Sequence, residues 1–289
     1  MRIGLVTDST AQLSSEELKS LEELTGGLIA VVPLTVIVGG VEFTDGELSA
    51  AELCSAMSEG TPVSTSLATP AQFTNAFSTL IDRGAEAIIT VTMSGELSGT
   101  RDSAVSAAEA QPIFIDVVDS RTTSAGLAGA VFIAAAGISH GRDAESIAGV
   151  VADWCATETQ TMFAPATLEH LRRGGRIGAA SSLLGRALQI VPVLGLRSGV
   201  VVPLARVRTW SKAIDRMTQL TVAAAGELGE DGVRVEIQQA GGDCEHDDVV
   251  VLQEKFAELG LETSLRTLSP VITAHVGPGA IGITVQTTP

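Results

Sequence analysis

The sequence predicts an α/β protein of two domains. The first is an N-terminal parallel α/β (Rossmann-like) domain over 1–157, and the second is a C-terminal α+β domain with a largely antiparallel sheet over 158–289. Three observations predict it. A chain of 289 residues, 45% hydrophobic and 18% charged, is long and apolar enough for two cores. In the first half, β-branched runs alternate with capped helices, the order of a parallel sheet covered on both faces. After residues 156–160 the order changes to paired β runs mixed with helices, with no obvious linker between the halves.

Taken in order, Arg2 to Thr7 reads as a first strand. Ser14 with Glu17 forms a capping box for a helix ending near Leu24. Leu28 to Val32 and Leu34 to Val38 are strand runs, and Gly39-Gly40 turns into Val41-Glu42-Phe43 as a hairpin. Ser49 with Glu52 caps a second helix. Thr69-Pro70-Ala71-Gln72 combines an N-cap, a proline at the first helical position and a glutamine at the third, opening a helix to about Arg83. Ala87 to Thr92 is a strand, followed by a Gly/Ser loop, a helix from Gly99 to Ala110 and a strand from Ile113 to Val118. Helices over Ser124 to Ser139 and Asp143 to Ala156 close the first half.

In the second half, Thr161 to Ala164 is a strand and Ala166 to Arg173 a short helix. Ile190 to Leu196 and Val200 to Val207, joined at Ser198-Gly199, form an antiparallel pair. An amphipathic helix spans Ser211 to Leu228. Val233 to Gln239, a helix from Asp248 to Leu259, Glu262 to Thr267 and Ile281 to Gln286 complete the unit.

Composition excludes several classes. The formal net charge of −16 disfavours binding to nucleic acid or anionic membranes. Low aromatic content, 3%, leaves few platforms for base stacking. The apolar stretch from Ala125 to Ser139 falls short of the roughly 20 residues that a membrane span needs. Cys54, Cys155 and Cys244 lie far apart, so neither a disulfide framework nor a zinc site is expected, and a cytoplasmic protein is the natural inference.

The segment His275-Val276-Gly277-Pro278-Gly279-Ala280-Ile281-Gly282 contains a literal G-x-G-x-x-G. A dinucleotide fingerprint follows a strand and opens a helix. Here the glycines precede a β-rich run, so they are expected to shape a tight turn between two strands, with His275 at its edge. Polar clusters sit at predicted strand ends, where open α/β sheets bind ligands. They are Thr7-Asp8-Ser9-Thr10 and Thr92 to Thr100. In the second, Ser98 and Gly99 precede a helix whose free N–H groups suit an anion, although taken singly a plain cap is the better account of Ser98, as a turn-former is of Asp8. In Thr61 to Pro70 one hydroxyl, Thr69, suffices as a cap, leaving Ser64, Thr65 and Ser66 for a ligand or for a solvated loop. Arg172, Arg173 and Arg176 surround Gly174-Gly175, with Arg186 beyond. Helix-end cations explain the first two better than Arg176. Asp243 to Asp248 reads as acidic residues at a helix start, not a metal site. No P-loop, H-E-x-x-H, nucleophile elbow or kinase motif set occurs.

Together these clusters resemble the DegV family, whose members include the FakB-type fatty-acid-binding subunits of bacterial fatty acid kinase. The matching pieces are VTDST (Val6 to Thr10), PLTVIVGG (Pro33 to Gly40), Asp45-Gly46, STS (Ser64 to Ser66), SGELSGTRDSA (Ser94 to Ala104), Asp119-Ser120, LEHLRRGGRI (Leu168 to Ile177) and HVGPGAIG (His275 to Gly282). They occur in family order over almost the whole chain. Two departures are Leu67, where the family usually has Gln, and Arg101-Asp102 in place of Tyr-Gln.

The resemblance implies a two-domain DegV-like fold holding one long-chain fatty acid between the domains, with no cofactor. It implies that the carboxylate is gripped by Thr65, Ser94 and His275, with Ser98, Gly99 and Gly277 alongside and Arg176 facing the head group or a partner. It further implies that a separate fatty acid kinase subunit phosphorylates the bound acid to acyl-phosphate. Physically, a carboxylate taken out of water needs hydrogen-bond partners, and each buried CH₂ of the tail contributes about 0.8 kcal/mol. The alternative is a self-contained small-molecule kinase or phosphatase, related to dihydroxyacetone kinase substrate domains, with Asp8 as base or nucleophile.

Overall fold

The computed structural model describes residues 1–184, 190–229, 232–241 and 247–288. In chain order its elements are β1 (Ile3–Asp8), α1 (Ser15–Leu24), β2 (Ile29–Val32), β3 (Thr35–Val38), β4 (Val41–Thr44), α2 (Ala50–Ser58), β5 (Val63–Ser66), α3 (Pro70–Asp82), β6 (Ala87–Thr92), α4 (Thr100–Ala108), β7 (Phe114–Asp119), α5 (Ala125–Ser139) and α6 (Ala144–Thr157). They continue as β8 (Thr159–Ala164), α7 (Glu169–Gly174), β9 (Val191–Arg197), β10 (Val200–Val207), α8 (Trp210–Leu228), β11 (Val233–Gln239), α9 (Asp247–Glu258), β12 (Thr263–Thr267), α10 (Pro270–Val276) and β13 (Ile281–Thr287). Short 3-10 turns occupy Ser9–Ala11 and Gly178–Leu183.

Contacts divide the chain into two compact units. One holds Met1–Thr35 and Ser66–Thr157; the other holds Val36–Thr65 and Glu158–Thr288. Residues 36–65 therefore count with the C-terminal half and not with the rest of 1–157.

The first unit is a four-stranded parallel sheet ordered β2-β1-β6-β7. Every residue of β1 and of β6 is buried, as expected for parallel strands covered on both faces. Phe73, Phe77 and Leu80 of α3 are fully buried in its core. Three helices begin as their sequences dictate. In α1, Glu17 N donates to Ser14 Oγ at 3.1 Å and Ser14 N donates to Glu17 Oε2 at 2.7 Å. The same reciprocal box forms at Thr69 and Gln72 for α3, and in the second unit at Ser49 and Glu52 for α2.

The second unit is built on a six-stranded sheet ordered β10-β9-β8-β13-β11-β12. Its pairings are antiparallel except for β11 with β12. Pro203 lies on the edge strand β10 beside a register shift, a place where a missing N–H is tolerated. Met217 of α8 and Phe256 of α9 are buried with Ile237, Ile283 and Val285 of the sheet in one apolar cluster. A separate small sheet runs β4-β3-β5.

Two expectations need correction. The hydroxyl-rich stretch before α3 is not wholly a loop, because Val63–Ser66 forms β5. The residues before Gly277 are not a strand either. They form α10, capped by Ser269, whose Oγ accepts from Ile272 N at 3.2 Å, with Pro270 opening the first turn. Gly277 then ends this helix, so the glycine turn joins a helix to β13.

Candidate functional site

In the second unit, Thr65 and His275 meet. The period of two along β5 leaves Ser64 and Ser66 exposed and turns Val63 and Thr65 inward. His275 lies in the last turn of α10, and its Nε2 is 2.8 Å from Thr65 Oγ1. The other ring nitrogen, Nδ1, is buried and has no hydrogen-bond partner among the described residues. Burial, aided by the nearby positive charge of Arg176, holds the His275 pKa down at about 4. The imidazole is therefore neutral at neutral pH, and either tautomer can pair with the Thr65 hydroxyl.

Two glycines make room for the imidazoles. A Cβ on Gly174 would run into His275, 2.9 Å from its Cε1 and closer still to Nδ1. A Cβ on Gly277 would fall on the ring of His170, and Gly277 has a φ of +85° that other residues rarely adopt. Thr61, Ser64, Thr65, His170, Arg176 and His275 are among the residues lining a cavity of about 380 Å³. Burial lowers the pKa of His170, and the charge of Arg173 lowers it further.

The arginines sort into two kinds. Arg172 grips Glu169 with two bonds of 2.7 Å, and Arg173 Nε donates to the same carboxylate at 2.7 Å. Those bonds, from Arg172 above all, hold the Glu169 carboxyl at about 2. Arg173 also lines the cavity, together with Arg176, which donates to the carbonyl of Gly174. Arg186 and residues 243–246 lie outside the described residues.

In the first unit, Ser94 is buried at the carboxyl end of β6. Its N–H donates to Thr122 O at 2.8 Å, its carbonyl accepts from Leu97 N and Ser98 N, and its Oγ accepts from Glu96 N at 3.2 Å. Ser98 Oγ, 2.9 Å from Thr100 Oγ1, also accepts from Thr100 N. Gly99 is the N-cap residue of α4 and offers no side chain. Ser98 is therefore not the N-cap itself, but its Oγ satisfies the N–H of Thr100, the first residue of α4. Of the two departures from the family pattern, Leu67 is exposed, and the Arg101 stem packs towards Gly95.

Asp8 was a sequence candidate for base or nucleophile. Its carboxylate is fully buried and takes three donors: Thr10 N at 3.0 Å, Thr10 Oγ1 at 2.6 Å and Met93 N at 2.7 Å. Such a group is occupied with structure and is not presented to a substrate. Among the described residues no cluster of three or more His, Cys, Asp or Glu side chains is placed to hold a metal ion, and no helix is long and apolar enough to cross a membrane. Sequence reasoning missed His170, whose ring meets the backbone at Gly277 only because α7 packs against α10.

A family model described as "Uncharacterised protein, DegV family" matches residues 2–288. The chain belongs to the DegV family. A DegV domain-containing protein of Streptomyces coelicolor is 36% identical over 98% of both chains. One from Deinococcus radiodurans is 33% identical over 99% of each. Among solved structures, a fatty-acid-binding DegV family protein of Thermus thermophilus superposes with a TM-score of 0.89 at 32% identity, covering 99% of this chain and all of the other. DegV of Bacillus subtilis, a fatty acid binding protein, gives 0.86 at 25% identity over the full length of both chains. The mixed α/β fold, with its parallel and antiparallel-rich sheets, is thus the DegV fold.

Proposed function

We propose that this chain binds one long-chain fatty acid and presents its carboxylate to a separate kinase subunit, which phosphorylates it to acyl-phosphate. The observation that carries the reading is the pairing of the Thr65 hydroxyl with a neutral, half-enclosed His275 imidazole. A carboxylate leaving water needs hydrogen-bond donors. The paired hydroxyl and neutral imidazole use one hydrogen between them and keep the other to donate to the carboxylate, while a bidentate arginine would bind the charge so firmly that its oxygen loses nucleophilicity. Fatty acid binding by the Thermus and Bacillus relatives supports the ligand class.

The residues offered to the acid are Thr65, His275 and Gly277 of the second unit and Ser94, Ser98 and Gly99 of the first. Arg176 lines the cavity beside His275 and supplies positive charge where a phosphoryl group would arrive. The tail provides affinity at about 0.8 kcal/mol per buried CH₂, so the polar groups need only orient the head. The kinase supplies the nucleotide site. The enclosed Asp8 weighs against a self-contained kinase or phosphatase built on that residue.

Native mass spectrometry of gently purified protein tests the ligand, with one fatty acid per chain expected. A protein that is empty and refuses added fatty acid ends the reading. Incubation with a fatty acid kinase subunit, ATP and hydroxylamine tests presentation: an acyl hydroxamate is expected, and none forming from a loaded protein would reduce the role to binding alone.

A further inference from the structure

Asp8 is a buried carboxylate that the contacts with the acid do not use. The geometry points to Asp8 as a positioning residue, which fixes Ser94 for the acid head group by closing a hydrogen-bonded circuit through three strand ends. Ser94 as a head-group contact belongs to the function proposed above, and this inference rests on it.

The circuit can be traced atom by atom. Asp8 ends β1, and its Oδ2 accepts from the N–H of Met93, directly after β6. The next residue, Ser94, donates its N–H to Thr122 O at 2.8 Å, beyond the end of β7. Two residues on, Ser124 N donates to Thr10 O at 3.0 Å. Thr10 returns to Asp8 with its own N–H and hydroxyl, both onto Oδ1. Asp8, Thr10, Met93, Ser94, Thr122, Thr123 and Ser124 are all buried, so water does not substitute for a lost bond. Ser124 holds a φ of +52°, an uncommon conformation for a side-chain-bearing residue. A neutral acceptor would serve a single turn. A carboxylate serves here because two oxygens must receive three donors from two different loops. Burial pushes its carboxyl above the ordinary value, and the bonds from Thr10 and Met93 work against that rise.

Asp8→Asn preserves size but replaces one acceptor oxygen with an N–H donor, so it cannot receive both Thr10 and Met93. The readout is the ratio of affinities for a saturated fatty acid and for the fatty alcohol of equal length. A general loosening of the fold lowers both affinities alike; loss of Ser94 placement lowers the ratio, by roughly tenfold. The double variant Asp8→Asn/Ser94→Ala should be no worse in this ratio than Ser94→Ala alone, because Asp8 acts through Ser94. An unchanged ratio in folded Asp8→Asn, or losses that simply add, overturns the inference. Amide hydrogen exchange gives a ligand-free arm: Ser94 and Ser98 should lose protection in Asp8→Asn, and unchanged protection also overturns it. If the unaltered protein binds neither acid nor alcohol, the fatty-acid reading falls and exchange alone decides the role of Asp8. If Asp8→Asn fails to fold, Thr10→Val, which removes the 2.6 Å donor while keeping a β-branched side chain, should move both readouts the same way by a smaller factor, and no movement overturns the inference.

Discussion

The hydroxyl of Thr65 and the imidazole of His275, 210 positions apart in the chain, meet at 2.8 Å. This pair joins the small sheet to the last helix of the second unit and gives the unit a neutral donor pair beside an arginine. Its behaviour on substitution is the most direct check on the proposed function.

Thr65→Val keeps a β-branched residue in β5 and removes the hydroxyl. Fatty acid affinity, measured by displacement of a fluorescent acyl probe, should fall by the equivalent of about 1 kcal/mol. Thermal stability should change little. His275→Ala should leave the fold intact and reduce acyl hydroxamate formation more than affinity. Unchanged product formation would remove His275 from presentation.

Gly174→Ala tests the packing of the ring. The new Cβ overlaps His275, so the imidazole must move. The variant should reproduce the binding defect of His275→Ala with the histidine still present. A crystal structure showing the ring unmoved at normal affinity would refute the argument.

Stability should depend on pH through His275. Its native pKa is about 4, below the ordinary value of 6.5. Between those values the unfolded chain binds more protons than the native one, so stability falls as the pH drops from 6.5 towards 4. Above 6.5 both states are neutral and the term is constant. The full effect is on the order of 3 kcal/mol. The raised pKa of Asp8 works in the opposite sense, since its native form takes up a proton more readily. Comparing urea midpoints at pH 7 and pH 5 with those of His275→Gln isolates the histidine, because the variant should lose the acid-side slope.

Phe256→Ala tests the core of the second unit. The side chain is fully buried among Met217, Ile237 and their neighbours. A loss of about 3–5 kcal/mol in chemical denaturation is expected.

Local rules were legible in the sequence. Three reciprocal caps, at Ser14, Ser49 and Thr69, formed where the residue spacing placed them, because each box is decided within four residues. The buried strands β1 and β6 showed as β-branched and apolar runs. By contrast β5 was hidden, since Val63-Ser64-Thr65-Ser66 has a hydroxyl at three of four positions and gains its strand character from pairing with β3. α10 was hidden for a related reason. It is seven residues long, and Val271, Ile272 and Thr273 are β-branched, so only Ser269-Pro270 announced a helix. Thr65 and His275 stood out as residue types in their motifs, but nothing local says that they touch. The role of Asp8 was not legible at all, because Met93, which donates to it, lies 85 positions away.

The interrupted second unit has a consequence for synthesis. Thr65 leaves the ribosome long before His275, and at typical elongation rates the delay is roughly 10–40 s. Until the last helix emerges, Thr65 of β5 has no His275 to pair with. The nascent protein therefore cannot engage a ligand through this pair early, and a fragment stopping at Thr157 would carry the Thr65 segment as an unsupported insertion.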